Sequence, residues 1–341
     1  MLSSKQKYLR TSSNGRASVG ATLKARRAET ASRIEQLRKA LAQTEKFIAT
    51  KACVYVTGSF GRGESSAFSD LDLFIAGKNT GDDRALRPLD EILVKADLIQ
   101  AVRTVGIPDF SGDGEYLKHY SVAELIGTLG TPEDDVTNTF TARLLLLLES
   151  RPLLESTVYQ DVIDPVVAAY WRDYQDHKNE FVPAFLANDI LRLWRTFCVN
   201  YEARTSTEPP LKKAKRNLKN YKLKHSRLLT CYSALLYLLF VFSKHKTVSP
   251  TDAIAMIKMT PTERLEWLQR ESHLDKIEAL ISCYEGFLEE TNAAEDELIG
   301  RFLDPKKKQG YFTAANKLGA LVFEVLESIG ERNRFHRLLV V

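Results

Sequence analysis

The polar and apolar positions of this chain switch between helical and strand rhythms. Between residues 21 and 49, Leu23, Ile34, Leu37, Leu41 and Ile48 recur at helical spacing among charged residues, which predicts an N-terminal helix. From Ala52 to Thr57 the pattern becomes a short β-branched run closed by glycine, which predicts a buried strand. Asp70 to Ile75 alternates and predicts a second strand, with Leu71 and Leu73 facing the core. A helix pattern follows from Asp82-Asp83 to about Val105, with Pro88 as a competing start signal. Gly106 to Gly114 reads as a loop and Glu115 to Tyr120 as a third strand. Ser121 with Glu124 forms a capping box.

Past Thr131 no strand is predicted. Thr131-Pro132-Glu133 starts a helix and Arg143 to Leu148 is a core stretch. Further helices are expected over 155–176, 180–204, 250–259, 262–271, 274–292 and 313–329, with a loop at Asp304–Gly310. The fold class is therefore α+β, a small mixed β-sheet domain followed by a large all-helical region. The expected divisions are a flexible N-terminus at 1–20, the sheet domain with its N-terminal helix at 21–130, and a helical domain at 131–341.

Chemistry concentrates at the change of rhythm. Thr57-Gly58-Ser59-Phe60-Gly61-Arg62-Gly63-Glu64 is a glycine-rich turn directly after the first strand. Gly58, Gly61 and Gly63 permit tight turns and close approach of a ligand, and such a turn forms an anion nest. Arg62 can meet a phosphate with its forked guanidinium, and Ser59 can donate a hydroxyl. Asp70 and Asp72 stand on one face of the next strand, where two like charges raise each other's pKa unless a cation lies between them. Mg²⁺ takes a few carboxylates together with phosphate oxygens. This is equipment for metal-assisted phosphoryl or nucleotidyl transfer. The turn is not a Walker A loop, since no Gly-Lys-Ser/Thr follows, and the next strand resumes too soon for a dinucleotide fingerprint.

Gly58-Ser59-Phe60-Gly61-Arg62-Gly63 with Ser69-Asp70-Leu71-Asp72-Leu73 resembles the signature of the DNA polymerase β-type nucleotidyltransferase superfamily. The arginine-containing turn is most similar to the branch typified by the PII-protein uridylyltransferase. A looser resemblance to bacterial nucleotidyltransferase-domain proteins extends to about residue 230. It rests on Asp113-Gly114-Glu115-Tyr116-Leu117, Leu148-Glu149-Ser150-Arg151-Pro152-Leu153 and Asp189-Ile190-Leu191-Arg192-Leu193-Trp194-Arg195. The resemblance implies transfer of a nucleoside monophosphate from an NTP to an acceptor, with pyrophosphate leaving. By it, Gly58 and Ser59 hold the triphosphate and Asp70 and Asp72 hold the metals. A third carboxylate on a later strand helps hold the metal and acts as base. Glu115 is the first choice, Asp113 the second, and Asp109 lies close by.

Composition narrows this picture. The chain has 341 residues, 44% of them hydrophobic, and a formal net charge of +4, which permits a nucleotide or nucleic-acid partner without requiring one. Four dispersed cysteines and six scattered histidines offer no zinc spacing, so the metal is read as Mg²⁺ or Mn²⁺ on oxygen. The cysteines read as buried thiols of a reducing compartment, no signal-peptide pattern opens the chain, and a cytoplasmic protein is expected. The apolar run 228–242 is shorter than the roughly 20 residues of a spanning helix and reads as a core helix, with no membrane.

Directly before it, Lys212 to Arg227 forms a basic, aromatic-containing run with no acid, expected to contact triphosphate or nucleic acid. Lys219, Lys224, Ser226 and Arg227 are the candidate contacts. Lys24, Arg26 and Arg27 read as a solvated face. Asp189, Arg192 and Arg195 share a helix face and read equally well as surface salt bridges or as a charged wall of the active site. The resulting expectation is an NTP-using transferase acting on an RNA 3′ end or a protein side chain, with a homo-oligomer or partner protein possible. The competing class is a catalytically silent nucleotide-binding module, such as a toxin–antitoxin partner.

Overall fold

The structure, a computed structural model, describes residues 20–81, 83–110, 117–202 and 209–340. The expectations for residues 1–19, for Asp113 and for Glu115 lie outside the described residues. The strands are β1 (Ala52–Thr57), β2 (Asp72–Gly77), β3 (Asn79–Thr80), β4 (Asp83–Arg84), β5 (His119–Ser121) and β6 (Arg151–Leu154). Four of them form a mixed sheet in the order β5-β2-β1-β6, and β3 with β4 forms a separate antiparallel pair. β1 runs antiparallel to both neighbours, while β2 and β5 are parallel.

Both faces of this sheet are covered, which is why β1 is buried at every position. Val54, Val56, Leu73 and Ile75 pack toward the N-terminal helices and the helix Pro88–Val105. Leu71 joins that core, as the alternation expects. Cys53, Tyr55, Phe74 and Ala76 face the helical region instead. Register pairs Thr57 with Asp72 at the end of that second face, so the carboxylate points toward the helical region. All five stripe residues of the N-terminal helices, Leu23, Ile34, Leu37, Leu41 and Ile48, are buried. The Gly20 N–H donates to Glu285 at 2.7 Å, tying this end to the helix Asp275–Glu290.

Three sequence expectations are corrected. β6 is a strand beyond residue 131. Its four residues include Pro152, which removes a ladder donor and is tolerated because β6 is the sheet's edge. The expected loop Asp304–Gly310 belongs instead to the helix Pro305–Gly330. Asp304 accepts from the Lys306 and Lys307 N–H groups at 2.8 and 3.3 Å and Pro305 occupies the first turn, so Asp-Pro is a start signal here. The helix after β4 starts at Pro88, not at Asp82-Asp83.

The basic run and the apolar run are one helix, Pro210–His245. Its length and composition suffice to cross a membrane, but its apolar stretch is mostly buried within the protein. Leu223–Arg227 forms a π-helical turn in its middle, a local widening often found at functional sites. His225 sits inside that turn, stacked on Phe287 at 4.4 Å, with its Nδ1 2.8 Å from the Tyr221 carbonyl, to which the neutral ring donates. Burial pushes its pKa down to about 4. Below about pH 6.5 the unfolded chain takes up a proton that the native ring refuses until about pH 4, so stability falls as pH falls through that window, by up to about 3 kcal/mol. Denaturant titrations at pH 7 and 4.5 are expected to show a smaller acid loss for His225→Gln than for the wild type. Equal losses in the two proteins would discard the assignment.

Candidate active site

The turn after β1 is a single helical turn, Gly58–Gly61, closed by Arg62 N–H to the Gly58 carbonyl at 3.0 Å. Gly58 has φ +61°, and a Cβ there would overlap the Asp72 carboxylate, reaching its Cγ at 3.3 Å. Glycine at 58 thus lets the main chain lie directly on the Asp72 side chain. Asp70 precedes β2 and Asp72 opens it, and both line one cleft of about 710 Å³ with Gly58 and Ser59. That volume lies within the range of small-molecule sites. Burial raises the Asp72 pKa, and the neighbouring Asp70 charge raises it further. Two oxygen donors that repel each other suit a hard divalent cation, Mg²⁺ or Mn²⁺, completed by phosphate oxygens. Among the described residues no group of three His, Cys, Asp or Glu forms a cation site.

The opposite wall comes from the π-helical turn and the helix before it. Lys219, Lys222, Leu223, Ser226 and Arg227 all line the cleft. Three of the four residues expected as contacts in the basic run, Lys219, Ser226 and Arg227, therefore line the cleft. Lys224 is not among them: its ammonium lies 5.9 Å from the Phe312 ring centroid, on another side of the helix. Lys222, passed over in the sequence, takes its place. The members follow the steps i, i+3, i+4, i+7 and i+8, so helical phase was the signal that selects Lys222 over Lys224.

Arg62 lines the cleft but is buried, bonded to Glu64 at 2.8 Å and Glu149 at 3.0 Å. Burial alone would lower its pKa, and the two carboxylates outweigh that, holding the guanidinium charged. Glu64 also accepts from the Tyr284 hydroxyl at 2.9 Å. Gly61 packs on the Glu149 backbone carbonyl. In this arrangement Arg62 and Gly61 brace the turn. Gly63, with φ +71°, carries the chain away from it.

Other residues move relative to their expected places. Arg26, read as solvated, is buried in the cleft wall and donates to the Ser65 and Leu288 carbonyls at 3.3 and 3.2 Å. Asp109 lines the cleft while paired to Arg103 at 3.1 Å. Asp189, Arg192 and Arg195 do not reach it and line a different cavity. Asp189 accepts from the Tyr170 hydroxyl at 2.7 Å, and Arg192 pairs with Asp135. Glu149 was missed as a site residue. Its signal was a single acid flush against the apolar run Leu144–Leu148, because a charge buried there requires partners.

Residues 34–126 match the family model of the nucleotidyltransferase domain. The chain carries such a domain, consistent with the polymerase β-type superfamily, and the match spans the turn, both aspartates and the first three strands of the main sheet. No curated protein matches the chain.

Proposed function

We propose that this protein transfers a nucleoside monophosphate from an NTP to an acceptor hydroxyl, releasing pyrophosphate. The observation that carries this reading is the convergence of Asp70 and Asp72 with the Gly58–Ser59 turn in one cleft whose far wall is cationic. In the reaction the acceptor oxygen bonds to the α-phosphorus as the bond to the pyrophosphate oxygen breaks. Gly58 and Ser59 seat the triphosphate, and Lys219, Lys222, Ser226 and Arg227 orient its charge or that of the acceptor. Asp70 and Asp72 would hold the divalent cation, which supplies charge neutralisation at the reacting phosphate and the leaving group. Glu115 is proposed as the carboxylate that takes the acceptor proton.

The acceptor proposed is an RNA 3′ end. Lys212, Lys215, Lys219 and Lys222 follow one side of the helix over about 15 Å; Lys215 pairs with Glu295 at 3.0 Å, and Lys219 and Lys222 enter the cleft. A row of this kind suits a phosphate backbone better than a protein side chain. Incubation with each labelled NTP, Mg²⁺ and separate RNA, protein and small-molecule fractions tests the proposal. Label on RNA, with RNA affinity that falls steeply as salt rises, is the expected result. Label on protein overturns the acceptor. No label and no pyrophosphate from any NTP overturns the transferase and favours a silent binding module.

A further inference from the structure

Four donors converge on Glu149. Its Oε1 accepts from the Gly58 N–H at 3.1 Å and from Arg227 Nη1. Its Oε2 accepts from Arg62 Nη1 at 3.0 Å and from Thr230 Oγ1 at 2.6 Å. The side chain is fully buried. Burial pushes its carboxyl up, and Arg227 and Arg62 outweigh that, so it sits below the usual carboxylate range and stays anionic. A carboxylate offers about four lone-pair positions, and four donors occupy them here. Glu149 therefore has no acceptor position to spare for a cation, although it lies near Asp72.

The donors come from separate parts of the chain. Gly58 and Arg62 belong to the turn after β1, and Arg227 and Thr230 to the helix Pro210–His245. Glu149 itself ends the helix Thr139–Glu149, just before β6. One buried carboxylate thus joins the phosphate-facing turn to the cationic wall.

We infer that Glu149 is a positioning residue, which seats the Gly58–Ser59 turn against Asp72 and holds Arg227 at the cleft, so that NTP affinity depends on a side chain that touches no substrate. The inference rests on the nucleotidyltransferase reading. Glu149→Gln keeps the volume but places an N–H₂ among four donors, so Arg62, Thr230, Arg227 and the Gly58 amide cannot all keep their partner. Thr230→Val removes one of the four and leaves the ion pairs intact.

The test measures affinity for non-hydrolysable NTP analogues with Mg²⁺ by calorimetry, hydrogen exchange of segment 58–63 against β1, and thermal melting, on the full chain. Glu149→Gln is expected to fold, to bind the analogues about tenfold or more weakly, and to exchange faster in 58–63 than the wild type, with β1 unchanged. Thr230→Val is expected to shift both readouts the same way by less. Folded Glu149→Gln with wild-type affinity overturns the inference and leaves the transferase reading intact. Should Glu149→Gln not fold, wild-type affinity and exchange in Thr230→Val overturn it instead. A wild type that binds no NTP analogue fails the transferase reading and takes this inference with it.

Discussion

Replacing Asp72 with asparagine is expected to cut nucleotidyl transfer about a thousandfold while raising the melting temperature. The two effects share one cause. Asp72 is held in the cleft beside Asp70, with the Gly58 main chain against its carboxylate. Burial and the Asp70 charge both raise its pKa, with Arg227 opposing. The native state therefore binds a proton at Asp72 more readily than the unfolded chain does. By linkage, stability falls as pH rises from the unfolded value near 3.8 through the raised native value, and the cost persists at neutral pH. Asparagine removes the charge and with it that cost, but leaves one anionic oxygen donor where the proposed reaction uses two. Added Mg²⁺ is expected to raise the melting temperature of the wild type more than that of Asp72→Asn, because a ligand stabilises only the state that binds it. Undiminished turnover in Asp72→Asn would remove this residue from the mechanism. A lowered melting temperature would mean that the carboxylate is structural.

What the sequence made legible was local. β1, the burial of Leu71 and Leu73 and the five-residue apolar stripe of the N-terminal helices are found where periodicity puts them, while Asp70, read as part of the second strand, lies just before β2 and shares a cleft with Asp72. β6 was not legible, because four residues with a proline fail every strand rule except that of an edge, and edge position is a property of the assembled sheet. Lys222 was legible in principle, since helical phase from Lys219 reaches it. Lys224 lies off that phase. Arg26 and Glu149 were harder. Each is a charge whose partners lie far off in sequence, Leu288 for one and Arg227 for the other. Periodicity says that such a charge faces inward but cannot name what meets it. The charged face at Asp189, Arg192 and Arg195 has the opposite history. Its spacing was real, and the tertiary packing turned it toward Tyr170 and Asp135 rather than toward the cleft.

Gly61→Ala is expected to be the most destabilising single-methyl change in the turn, costing about 4 kcal/mol or more. Gly61 does not need a left-handed backbone, so the cost is one of space alone. A Cβ at 61 would fall far inside van der Waals contact distance of the Glu149 carbonyl oxygen and 2.9 Å from the Val56 carbonyl oxygen. Both are main-chain atoms, one at the junction of the helix Thr139–Glu149 with β6 and the other in β1. Neither can rotate aside. Relief requires the turn to lift away from Glu149, which breaks the Gly58 N–H bond and draws Arg62 from its two carboxylates. Gly63 supplies the control. There the nearest atoms are the Arg151 guanidinium at 3.6 Å, ordinary contact distance, and the penalty of Gly63→Ala is the φ of +71°, about 1–2 kcal/mol. Denaturant midpoints of the two variants are therefore expected to separate widely, with Gly61→Ala the lower. If Gly61→Ala melted within about two degrees of the wild type, the turn would not be seated on the Glu149 backbone, and the close packing that places it against Asp72 would be wrong.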